Sequence, residues 1–262
     1  MEMREALWAE LLKVRRSRVP FVSVLAFTIA AGVGGMFMFI LQDPARARAL
    51  GLLGAKAQLT TGTADWPGYF ALLAQTTAIG GMLIFGLIVI WLFGREFADR
   101  TAKDLLALPT SRTAIVGAKF VVAAGWCLLL SVQTYALGLL IGAALRLPGW
   151  SAVVAADGLG RLLATALMMV LLVAPFGLVG SAGRGYLPAV GCMFGAVFAA
   201  QVVALLGYGA YFPWSVPALY SGVAGADQPP LGPLSYTLVV LVGVVSVAGT
   251  VAWWRNADQT GG

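Results

Sequence analysis

Apolar residues fall into six runs of about 20 or more, and only Lys119 and Arg161 place a charge inside any of them. A helix rising 1.5 Å per residue needs roughly 20 apolar residues to cross about 30 Å of hydrocarbon. The runs therefore predict transmembrane helices at about 19–41, 69–93, 114–145, 159–182, 186–207 and 234–254. The third is longer than a perpendicular crossing requires, which predicts a tilt or a start among the headgroups. Pro188 falls in the first turn of the fifth, where a missing N–H costs nothing. Pro175 lies inside the fourth and predicts a bend or a hinge.

The segments between the runs carry their own periodicity. In residues 1–18, Met3, Leu7, Trp8, Leu11, Leu12 and Val14 fall on one side of a helix. Arg4, Glu5, Lys13, Arg15 and Arg16 fall largely on the other. This is the pattern of an amphipathic helix lying in the membrane interface. Between spans two and three, residues 95–108 read as a second short helix. Phe97, Thr101, Leu105 and Leu108 share a face, while Glu96/Arg100 and Asp99/Lys103 form acid-first pairs four apart, each worth about 0.2–0.5 kcal/mol. Pro109 closes the segment, and Thr110 or Ser111 can cap the helix that follows. The loop 208–233, rich in aromatics, proline and glycine, reads either as a short re-entrant segment or as an ordered loop.

Composition agrees with lipid as the main solvent. The chain has 262 residues, 60% hydrophobic and 11% charged, against about 25% charged in a soluble domain. The net charge of +6 points to anionic headgroups and orientation rather than nucleic acid, because the basic residues flank apolar runs. With both termini inside, the inner segments hold twelve of the seventeen basic residues, so the positive-inside rule predicts cytoplasmic termini in a plasma membrane protein. The segment 95–112 then faces the cytoplasm. The expected fold class is an all-α membrane protein, one transmembrane permease domain over residues 1–262, with an interfacial N-terminal helix and a cytoplasmic helix between spans two and three.

The chemistry available to this chain is narrow. It has no histidine, which removes the commonest general base and metal ligand. The span interiors offer no carboxylate pair, which argues against an intramembrane enzyme, and no mid-membrane ionisable residue of the kind ion-coupled carriers bury. Cys127 and Cys192 sit inside apolar runs as packing residues. No Gly-x-x-x-x-Gly-Lys-Ser/Thr motif occurs, so any ATP and magnesium would be bound by a separate chain and no cofactor is expected on this one. Uncharged polar residues within the spans, among them Gln75, Thr77, Gln133, Tyr135 and Gln201, suit either a substrate path or hydrogen bonds between helices.

The stretch FGREFADRTAKDLLALPTSRTAIVGAKF (93–120), following an amphipathic N-terminal helix within a six-span chain, resembles the permease subunits of type-2 ATP-binding-cassette exporters. The residues carrying the resemblance are Glu96, Phe97, Thr101, Leu105, Leu106, Pro109, Arg112 and Lys119. AGRGYLP (182–188) and YFPWSVPALYSG (211–222) are similar to the bacitracin-resistance and lantibiotic-immunity branch. The resemblance implies a coupling helix in the 95–112 loop that docks on a nucleotide-binding ATPase subunit, through Glu96, Phe97, Arg100, Thr101, Leu105, Leu106, Pro109 and Arg112. It also implies a second permease copy, most simply a homodimer, and export of an antimicrobial peptide, drug or other amphipathic compound. Two other readings fit the same architecture: a structural or regulatory membrane protein, and a permease for ions or haem.

Overall fold

In a computed structural model, the described residues are 2–43, 63–101, 110–223 and 231–256. Among them the chain is helical, without strands. Helix α1 (Glu2–Arg16) precedes α2 (Val19–Gln42), α3 (Trp66–Ala98), α4 (Arg112–Ala144), α5 (Ala152–Ala182) and α6 (Tyr186–Leu205). Two single 3-10 turns and the short α7 (Val216–Ser221) follow, and α8 (Pro233–Asn256) comes last. Six of these helices, α2 to α6 and α8, are long and apolar enough to cross a membrane. This is a multi-pass membrane protein. The start of α1 and the end of α8 lie at one end of the bundle, here the base; the ends of α2 and α4 and the short α7 lie at the other, distal end.

Three of the long helices start on a side-chain cap. Asp65 accepts from the Gly68 N–H at 2.8 Å, Ser111 from Ala114 at 3.3 Å and Ser151 from Val154 at 3.1 Å, each satisfying one of the orphan donors of a first turn. Between the two residues expected to cap α4, the structure uses Ser111. Three helices stop at an arginine in the left-handed region: Arg100 after α3, Arg146 after α4 and Arg184 after α5. At α4 and α5 the following amides close the turn, Leu147 onto Gly142 O and Gly185 onto Gly180 O, both at 3.1 Å. The left-handed conformation costs a non-glycine residue about 1–2 kcal/mol; a cation beside the helix C-terminus offsets part of that.

This ending of α3 corrects the start of the helix expected over 95–108. The span continues through Ala98, Asp99 caps it, and Arg100 turns left-handed (φ 58°). Glu96 and Arg100 are therefore not a pair on one helix face; Asp99 instead accepts from Arg95 Nε at 3.2 Å. Thr101 is the last described residue before 102–109, so Leu105, Leu106 and Pro109 lie outside the described residues.

The centre of the bundle is α3, packed along α5, with α2 and α4 against it. Close approach is built in at Gly158 of α5, where a Cβ would run into the root of the Phe70 ring. At Gly243 of α8 a Cβ would meet Leu171 Cβ at 2.9 Å and its Cα at 3.2 Å. Helix α5 runs unbroken through Pro175. Helices α6 and α8 lie at the periphery and leave Leu187, Phe194, Phe198, Leu241 and Val244 exposed, as lipid-facing surfaces are. The 3-10 turns and α7 fold back at the distal end against α3, α5, α6 and α8, so residues 209–221 of the connection after α6 form a packed segment.

Candidate functional site

Among the charged residues at the base, Glu10, Glu96 and Lys119 are buried. Helix α1 presents Ala6, Glu10 and Val14, spaced four apart, to the protein. Ala6 packs against Ala114 and Ala118 of α4. With only methyl groups between them the helix backbones come close, and this carries Glu10 into reach of Lys119, the next residue on α4. Lys119 is completely buried. Its ammonium donates to Glu96 Oε1 at 2.8 Å, to the Leu92 carbonyl at 2.9 Å and to the Glu10 carboxylate at 3.2 Å. Its three N–H groups thus meet three acceptors. Lys13 donates to Glu10 Oε1 and Glu96 Oε1, both at 2.8 Å. Thr101 Oγ donates to the other oxygen of Glu96 at 2.8 Å.

Two carboxylates and two ammoniums make this cluster neutral overall. Glu10 is 2% exposed and Glu96 3%. Taking such ions out of water costs several kcal/mol each, which only close pairing and further hydrogen bonds can offset. The edge of the cluster is Lys13. Burial works to lower its pKa, but the Glu10 charge and hydrogen bond, and then those of Glu96, hold it above the usual lysine value. The cluster joins α1, α3, α4 and, through Thr101, the beginning of the 102–109 loop.

The other end of that loop is anchored separately. Arg112 Nη1 donates to the Trp254 carbonyl at 3.0 Å and to Arg255 O at 3.1 Å, two of the four carbonyls that the end of α8 leaves without helical partners. Phe97 meets the edges of Trp253 and Trp254, with centroids 5.8 and 5.9 Å away. The fully buried Trp254 donates Nε1–H to Ser181 Oγ of α5 at 2.9 Å. The amide of Ser111 donates to Glu2 Oε2 of α1 at 3.2 Å. Of the coupling residues expected from sequence, Glu96 and Thr101 meet in the ion cluster, Phe97 and Arg112 meet at the end of α8, and Arg100 is exposed.

Sequence reasoning missed Glu10, Lys13, Ser181 and Trp254 as members of these contacts. One signal was available for Glu10: it lies in line with Ala6 and Val14, on the apolar side of an otherwise amphipathic helix. The substrate-path residues are not brought together. Thr77 bonds its own helix at Leu73 O. Gln133 bridges to Val24 O and Thr28 of α2. Tyr135 donates to Ala155 O at 2.7 Å. Gln75 sits beside Gly222. Gln201 alone of the five lines a groove of about 410 Å³ between α3, α6 and the fold-back segment, walled by Met82, Leu83, Val197, Trp214 and Leu219.

Residues 6–200 match the model of a family described as ABC-2 family transporter protein. The chain is also similar to the bacitracin transport permease protein BCRB of Bacillus licheniformis, 29% identical over 181 residues, which is 68% of this chain and 85% of that protein.

Proposed function

Since the chain belongs to the ABC-2 transporter family and is a transmembrane permease, we propose that it is the membrane subunit of an ATP-driven exporter and docks on a separate ATPase subunit through residues 95–112. The observation that carries this is the double anchoring of the loop. Thr101, just before it, is tied to a buried carboxylate that three elements share, and just after it Ser111 is tied to α1 and Arg112 to α8, helices at both ends of the chain. An isolated connector gains nothing from such fixation, whereas a lever must have it. The base is cytoplasmic and the termini lie inside, in keeping with the basic residues gathered there. Helix α1 lies at the inner interface, with Trp8 and Leu11, exposed at 67% and 55%, turned toward lipid. Two copies of the permease, most simply identical, pair with two ATPase subunits.

The substrate class is an amphipathic compound such as an antimicrobial peptide. Support comes from the bacitracin permease similarity and from the groove, whose wall is apolar apart from Gln201 and Ser215. The test is co-expression of the permease with a tagged ATPase subunit encoded beside it. The wild type should retain the ATPase on purification, show peptide-stimulated hydrolysis and raise host resistance to the peptide. Arg100→Glu combined with Leu105→Asp, which alters the docking segment outside the buried cluster, should insert normally and lose the ATPase. Retention with unchanged stimulation would refute the docking surface. Labelling of intact cells that finds Lys103 on the exterior would refute the orientation.

A further inference from the structure

We propose that α8 is the rod that carries displacement of the 95–112 loop to the distal fold-back segment walling the groove; this rests on the docking role given above. Spans two and three, continuous with the loop, are the direct route for the force. The contacts point instead to the last helix.

At its base α8 is gripped from three sides. Arg112 closes two of its terminal carbonyls, Phe97 lies against both of its tryptophans, and Ser181 holds the Trp254 N–H. The placement of Arg112 is itself informative. As the first residue of α4 it puts a cation at the positive end of its own helix dipole, an unfavourable position. The same guanidinium lies at the negative end of α8, where it is favourable. The residue thus serves the neighbour rather than its own helix, and it does so just after the loop closes.

At its distal end, about 36 Å away for a 24-residue helix, α8 packs on the fold-back segment. Val239 shares a buried cluster with Val216 of α7 and with Met168 and Leu172 of α5. Tyr236 meets Tyr220 edge to face, centroids 6.3 Å apart. Trp214, in the same cluster, also lines the groove, as do Ser215, Ala218 and Leu219. A hydrogen-bonded helix resists compression along its axis, so a push on Trp254 reaches Val216 without any change inside α8. Helix α3 is poorly placed to act as such a rod, because it is the central, most enclosed helix and is held by contacts along its whole length.

The experiment uses the full permease–ATPase complex in membranes, in a Cys192→Ser background that leaves only the buried Cys127. An Ala218→Cys reporter in the groove wall is labelled from outside with an impermeant maleimide. Labelling is compared with and without a non-hydrolysable ATP analogue and magnesium. In the parent, nucleotide should change the labelling rate. In Trp253→Ala, which removes a ring that faces Phe97, the ATPase should still co-purify and bind nucleotide, and the change in rate should be lost. Should Trp253→Ala fail to accumulate, Trp254→Phe, which keeps a ring and removes only the N–H donor to Ser181, takes its place with the same expectation. A nucleotide response of parental size in the variant overturns the rod while leaving the docking proposal intact. Failure of the parent to retain the ATPase overturns both.

Discussion

Replacement of Lys119 by methionine tests the charge balance of the basal cluster. The side chain is fully buried and gives three hydrogen bonds, two of them to carboxylates. Methionine fills the volume of the aliphatic stem but leaves Glu10 and Glu96 facing the single ammonium of Lys13, one uncompensated negative charge in a dry site. Breaking a buried pair in this way costs about 3–5 kcal/mol. Glu96→Gln alone leaves the opposite excess, two ammoniums against Glu10, and should cost a similar amount. Combined, the two substitutions leave a neutral Glu10–Lys13 pair, 2.8 Å apart in the wild type, and an amide that can accept from Thr101. The double variant should therefore be less destabilised than the sum of the singles, with a coupling energy of about 2–3 kcal/mol. Unfolding of the detergent-solubilised protein by SDS titration, over the four members of the cycle, measures this. Additivity within about 0.5 kcal/mol would show that the two residues do not share a charge-balanced site and would remove the basis for treating the cluster as one unit.

Other consequences are simpler to read. Thr101→Val removes the hydroxyl that ties the loop to Glu96; stability should fall by about 1–2 kcal/mol, and substrate-stimulated ATPase activity of the complex should fall more than ATPase retention does. Gly158→Ala drives a methyl group into the root of Phe70 and should cost about 1–3 kcal/mol by the same SDS titration. Ser151→Ala deletes the cap of α5 and should cost about 1 kcal/mol with no effect on ATPase coupling, since it lies at the distal end.

Hydropathy locates all six spans because each contains a lipid-length apolar stretch, and membrane insertion is what such a stretch reports. It places the ends less well. Helix α5 starts at Ala152, not 159, and α3 runs from Trp66 to Ala98, not 69 to 93. Backbone hydrogen bonding continues past the hydrocarbon wherever a cap such as Ser151 or Asp65 allows it, and hydropathy is blind to caps. The error at residues 95–101 has a different origin. Acid and base four apart satisfy a helix pattern whatever else they do, and Glu96 spends its charge on Lys13 and Lys119 instead of Arg100.

That error also indicates how the base of the bundle is put together. A carboxylate and an ammonium at the edge of hydrocarbon are each costly, and one sequence does not reveal which partner each will take. Glu10, Glu96 and Lys119 come from three helices, and none of them can be buried until the other two arrive. The cluster therefore makes the docking of α1 and the closing of α3 onto α4 a single event. The residues of the family-like pattern split accordingly: Glu96, Thr101 and Lys119 hold the start of the loop, Arg112 ties its end to α8, and Phe97, ahead of the loop, packs on the same end of α8. Among the described residues of the pattern, every one makes its contact within the permease. Under the proposed docking role, residues 102–109 are what a partner would grasp, and a force applied there would be delivered to the fixed points on either side, Thr101 and Arg112.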